Sequence, residues 1–150
     1  MSNVNNGFRQ EQGGDKNAPF IEGTNVPTNV AFAFTAGAAN VAEVAISLLD
    51  GFGNAVEQAM PFEVWLSDSA VGAGLTATSA SGTVAAKAAS GADFGDLTAK
   101  KAKVVQSLAT GIYTLEITDT AKTTFYVCVR NPFTGLTEVS RIMATADYGA

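Results

Sequence analysis

The sequence predicts an all-β protein, an antiparallel sandwich of about seven or eight strands carried behind an extended N-terminal arm. Two observations lead there. Neighbouring stretches, Gly111–Asp119 and Lys122–Arg130, alternate apolar and polar residues with period two, the spacing of a strand with one buried face. Short runs of the same kind recur between Gly-, Asn- and Pro-containing breaks, which is the spacing of a two-layered β-fold.

Residues 1–29 contain Asn, Gly, Gln and two prolines with almost no periodicity. Asn17-Ala-Pro19 and Asn25-Val-Pro27 favour extended or turn backbone, because proline disfavours the helical region for the residue before it. A loose terminus has this composition. Phe8, Phe20 and Ile21 are anchors that a purely solvated tail lacks, so the segment reads as an arm that orders on a neighbouring subunit. Residues 30–150 form the sandwich domain.

Ala31–Thr35 is a short strand with Phe32 and Phe34 on one side. Ala42–Leu49 follows, with Val44, Ile46 and Leu48 inward and Glu43 and Ser47 outward. Its Ala, Glu and Leu also suit a helix over 38–49, but the alternation and the turn Asp50-Gly-Phe-Gly-Asn54 favour a strand. In Met60–Ser67, Phe62, Val64 and Leu66 share one face and Glu63 and Trp65 the other. An outward Trp65 is either covered by a loop or part of a contact surface.

Residues 67–100 are rich in Ser, Ala, Gly and Thr and bury little area per residue, which suits peripheral loops and edge strands. Thr83–Ala86 is a weak strand there, and Phe94 to Leu97 supply a core contact. Lys100–Leu108 is a clearer strand. The stretches 111–119 and 122–130 then form a central hairpin through Asp119-Thr120-Ala121. Tyr113, Leu115 and Ile117 take one face of the first, Phe125, Val127 and Val129 one face of the second, and Tyr126 points outward. Asn131–Gly135 is a turn, and Val139–Ala144 a last strand hairpinned onto the one before.

Charged residues make up 15% of the chain and the net charge is −5. So few charges among many small residues suit a protein packed against others, and the negative balance argues against nucleic acid as a partner. The absence of histidine removes the commonest general base, the usual zinc ligand and the partner in most nucleophilic triads. Cys128, the single cysteine, has no internal disulfide partner. The N-terminus lacks an apolar export signal, and no apolar run nears the roughly 20 residues of a membrane helix. Assembly in a cytoplasm without a membrane is therefore expected.

Candidate chemistry is sparse. Asp50-Gly-Phe-Gly-Asn54 places Phe52 where a calcium loop needs an oxygen ligand, so it reads as a turn. The glycines do not open a helix after a strand, which excludes a phosphate-binding fingerprint. Asp93/Asp96 and Glu116/Asp119 are read as solvated surface carboxylates, since acid–base work needs a pocket and a shifted pKa. Lys100, Lys101 and Lys103 are read as guarding an exposed strand edge, or as rim contacts to an acidic partner. Cys128 reads as a small, partly buried side chain with no sign of activation. No catalytic residue, cofactor or metal is expected, and the chain is not expected to be an enzyme.

The run Val44-Ala-Ile-Ser-Leu-Leu-Asp-Gly-Phe-Gly-Asn-Ala-Val56, then Phe62-Glu-Val-Trp-Leu-Ser-Asp68, resembles the opening strands of bacterial and bacteriophage immunoglobulin-like domains. There a strand–Asp-x-x-Gly-Asn–strand hairpin recurs. Gly111–Asp119 with Thr124–Val129 is similar to their late hairpin, so the resemblance covers roughly residues 41–145. It implies an immunoglobulin-like antiparallel β-sandwich with no catalytic residues to transfer. With neither disulfide nor export signal, it implies a phage virion protein: a decoration or cement protein on the capsid exterior. Such a protein contacts the major capsid protein and often forms trimers. Phe8, Phe20, Ile21, Trp65 and Tyr126 are then the expected partner-binding residues. The alternative is a tail-fibre or surface module recognising host carbohydrate through exposed aromatics in 67–100.

Overall fold

The computed structural model describes residues 25–150. The expected anchors Phe8, Phe20 and Ile21 lie outside the described residues. Nine strands occur among the described residues: β1 (Asn29–Ala36), β2 (Val41–Leu49), β3 (Pro61–Ser67), β4 (Val84–Ala86), β5 (Ala92–Thr98), β6 (Ala102–Gln106), β7 (Ile112–Thr118), β8 (Tyr126–Arg130) and β9 (Thr137–Ile142). A 3-10 turn, Thr145–Asp147, follows them. All strand pairings are antiparallel, in two sheets of order β1-β2-β7-β4 and β9-β8-β3-β6-β5. The expected β-sandwich is what forms.

Alternation along the strands makes the core. Val44, Ile46 and Leu48 of β2 and Tyr113, Leu115 and Ile117 of β7 meet Phe62, Val64, Leu66, Val127 and Val129 from the other sheet. The Phe62 and Tyr113 rings meet edge to face at 6.0 Å between centroids. Each side chain of this size contributes about 1.5–3 kcal/mol on full burial. The core therefore holds the two sheets in register without a disulfide.

The central hairpin does not form. β7 pairs with β2 and β4, whereas β8 pairs with β3 and β9 in the opposite sheet. The connection over residues 119–125 crosses between the sheets, and Phe125, fully buried, is its plug in the core. Period two identified the strands correctly, but a short polar connector does not decide which neighbour a strand pairs with. The same correction applies to the Asp50–Asn54 turn, since β2 and β3 also lie in different sheets. Only one bridge, Leu49 to Ala55, forms across it.

The chain does not run simply from neighbour to neighbour. After β3 it crosses to the edge of the four-stranded sheet as β4, returns to the far edge of the five-stranded sheet as β5, and only then fills the place between β5 and β3 as β6. Trp65 and Cys128 are cross-strand neighbours on the outward face.

The peripheral placement of 67–100 holds, because β4 and β5 are edge strands of opposite sheets. Its expected core contact does not. Phe94 and Leu97 are 59% and 57% exposed, since bulges at Asp93/Gly95 and Asp96/Thr98 shift the register. Bulged edge strands resist pairing with another chain. β9, the other edge of that sheet, is bulged as well.

Apart from the β4–β5 link 87–91, which runs along the side of the sandwich, the connections sort to two ends. Residues 25–28 and the connections 50–60, 107–111 and 131–136 lie at one, here the entry end. Connections 37–40, 68–83, 99–101, 119–125 and the tail 143–150 lie at the far end. Asn25 is held at the entry end: its N–H donates to Asp50 Oδ2 and its Oδ1 accepts from Glu57 N–H. Thr28 N–H donates to the Leu49 carbonyl, so the sandwich begins within the stretch assigned to the arm.

Candidate interaction surface

Trp65 and Tyr126 share the outer face of the five-stranded sheet, where Trp65 faces Cys128 and Tyr126 faces Ser67 across the β3–β8 ladder. A loop over residues 68–76 lies on this face. Its base is closed by Thr76, whose N–H donates to the Leu66 carbonyl and whose hydroxyl donates to Asp68 Oδ1 at 2.6 Å. Asp68 also accepts the Ala77 N–H. These bonds hold the Asp68 carboxyl below its ordinary pKa, led by the one from Ala77.

Gly72 is where the loop touches the sheet. Its φ is +71°, and an added Cβ would stand 2.9 Å from Thr137 Cγ2 and 3.1 Å from Cys128 Sγ. Only glycine allows that approach without displacement. The Trp65 indole N–H donates to the Gly72 carbonyl, and the Arg130 guanidinium lies 5.5 Å from the ring centroid. The loop covers part of Trp65 and leaves it half-buried. Cys128 is fully buried rather than partly, and burial pushes its thiol pKa up to about 12. An open groove of about 350 Å³ remains between this loop and the β5–β6 edge, reaching Glu63, Trp65, Leu75, Leu97 and Arg130.

Asp93 and Asp96 are not simply solvated. Lys103 points to the inner side of the sheet, 6% exposed, with Nζ 2.8 Å from Asp93 Oδ2 and 3.1 Å from Asp96 Oδ1. The Tyr113 hydroxyl donates to Asp93 Oδ1 at 2.7 Å. Burial opposes both charges, yet their bonds to each other and to Tyr113 win: the Asp93 pKa is lowered and that of Lys103 raised. Lys103 is therefore an internal counter-ion, not an edge guard. Lys100 and Lys101 tie down a neighbouring loop, donating to the carbonyls of Ser81 and Ala77. Asp119 is also buried, and accepts N–H bonds from Ser81, Ala121 and Thr123. Burial raises its pKa, but bonds from Thr123 and Ser81 outweigh that and hold it far below the carboxylate range. These groups hold loops together, and no cluster of metal-ligating side chains occurs among the described residues.

The entry end differs in kind. Asp50 Oδ1 accepts the N–H of Phe52 at 2.9 Å, and Asn131 Oδ1 accepts the N–H of Phe133 at 2.9 Å. Each is an Asx turn, in which a side-chain oxygen holds the backbone two residues on. Each leaves a phenylalanine at the tip, and both rings are 64% exposed. Leu136 and Leu108 at the same end are 64% and 39% exposed. In 50–60, 107–111 and 131–136 the charged residues are Asp50, which is buried, and Glu57. Reading the sequence for sites passed over Phe52 and Phe133. The available signal was an aromatic two residues after Asp or Asn inside a glycine-containing turn.

Set against protein-family models, curated proteins and solved structures, the chain matches none.

Proposed function

We propose that this chain is a structural virion protein, a decoration or cement protein that binds the major capsid protein lattice on the outside of a phage head. It works without a cofactor, as a homo-oligomer of trimeric type, and stabilises the shell by contacts across neighbouring subunits. One observation supports this above others. Large apolar side chains that a sandwich of this size could bury stand instead at loop tips and on an edge strand, with Phe52, Phe94, Phe133 and Leu136 all more than half exposed. Such side chains mark contact surfaces. Multivalent contact with an assembled lattice stabilises it, because the unassembled subunits lack the joint site.

Co-sedimentation of the protein with heads from which it has been stripped is the test, together with a 25–150 truncation. The full chain is expected to pellet with heads and to raise their melting temperature. The truncated chain, which keeps every residue of the core cluster, is expected to stay folded and bind more weakly. A full chain that never pellets refutes the proposal, and equal binding by the truncated chain removes Phe8, Phe20 and Ile21 from it.

The groove along Trp65 supports a second reading, a surface module that takes host carbohydrate. Arg130 over the indole occupies a face on which a sugar would stack, which makes this the weaker one. A glycan titration followed by Trp65 fluorescence separates the two.

A further inference from the structure

We infer that the sandwich meets its partner end-on. The tips Phe52 and Phe133, with Leu108 and Leu136 at the same end, seat against an apolar, charge-poor surface of the shell protein. The inference rests on the decoration reading above and adds which part of this chain makes the contact and what chemistry it fits.

Position supports it first. Asn25, held by Asp50 and Glu57, fixes where the preceding 24 residues leave the sandwich, and that is the end bearing the two phenylalanine tips. Composition supports it next. Interface centres are enriched in aromatics and depleted of charge, and Glu57 is the one exposed charge in the three connections named. An anionic membrane would call for a ring of lysine or arginine; these connections hold none, and Arg130 beside them is engaged by the Gly135 carbonyl and the Trp65 ring.

Full-length protein, full-length F52S/F133S and the far-end control V71S are titrated on stripped heads by co-sedimentation. F52S/F133S is expected to bind at least about tenfold more weakly, the size of a typical hot-spot loss, and V71S to bind like the unaltered chain. The single variants F52N and F133N give the same reading if the double variant is poorly soluble. Equal binding by the entry-end variants while the unaltered chain binds overturns the inference and leaves the decoration reading intact. Failure of the unaltered chain to bind overturns both. Sedimentation velocity without heads is expected to give the same species for the unaltered chain and F52S/F133S. Loss of an oligomer in the variant would assign the tips to a second copy, and flotation of the unaltered chain with phosphatidylcholine/phosphatidylserine vesicles would assign them to lipid. Either result overturns the inference.

Discussion

At the far end, Asp119 gathers the N–H groups of Ser81, Ala121 and Thr123, Lys100 and Lys122 reach the carbonyls of Ser81 and Gly149, and the Tyr148 hydroxyl closes on the Thr123 carbonyl at 2.6 Å. At the entry end, Asp50 and Asn131 hold mainly their own turns, and what those turns present is Phe52 and Phe133. Both ends use the same device, a side-chain oxygen accepting nearby backbone N–H groups. At one end it ties several loops to each other. At the other it also joins segments, Asn25 to Asp50 and Met60 to Ser107, but it turns two aromatic rings outward as well. Charge follows the same division: six charged residues sit in the far-end connections 68–83, 99–101, 119–125 and 143–150, against Asp50 and Glu57 at the entry end. Saturated polar groups make a closed end, and aromatic tips make an open one.

The largest effect should come from breaking the closed end. Asp119→Ala removes the acceptor of three part-buried hydrogen bonds, one from Ser81 on the 68–83 loop and two from Ala121 and Thr123 on its own connection, and is expected to cost about 3 kcal/mol and roughly 8–10 °C in Tm. Asn131→Ala, which loosens one turn, should cost about half as much. Acid makes the same comparison without mutation. The Asp93 and Asp119 pKa values are lowered in the folded protein, so the unfolded chain binds protons first as pH falls. Their stabilisation is complete above about pH 5 and is lost progressively as pH drops past the unfolded value and through the folded ones. Urea titrations across this range should show stability falling on acidification, with a shallower fall in Asp119→Ala.

A smaller effect is expected where the loop covers the sheet. Gly72→Ala forces a positive φ on alanine and crowds Cys128 and Thr137, at about 1–2 kcal/mol of local strain. Relieving it lifts the 68–76 loop, so Cys128 should react with a thiol reagent about tenfold faster, the ratio that ~1.4 kcal/mol gives. An unchanged rate would show that the thiol is shielded by something other than this loop. The smallest effect belongs to the open end. F52S/F133S removes side chains that pack on little of their own molecule, so thermal stability should stay within about 0.5 kcal/mol. A drop of several kcal/mol would mean that these rings belong to the fold, not to a partner.

The strands were legible where one face is buried. Val44-Ala-Ile-Ser-Leu48, Phe62-Glu-Val-Trp-Leu66 and Tyr113-Thr-Leu-Glu-Ile117 carry the alternation in their own residues, and all three landed as read. Pairing was not legible, because which strand lies beside β7 is decided by packing between the sheets, and Asp119-Thr120-Ala121 carries no trace of it. Polar residues were misread for a related reason. Lys103, Asp93 and Tyr113 lie on three strands, and their mutual neutralisation exists only after the sheets close. The cover over Cys128 depends on Gly72, one glycine among many in a low-complexity stretch. For the candidate surface, Trp65 and Tyr126 were correctly placed on an outward face, while the entry-end tips went unnoticed. Their meaning comes from two turns far apart in sequence meeting at one end.

Hydrogen exchange of the head-bound protein against the free protein tests the central contrast most directly. Protection on binding should concentrate in residues 50–57, 107–111 and 131–136, with exchange in 68–83 and 119–125 unchanged. Protection confined to the far-end loops or to the Trp65 face would contradict it.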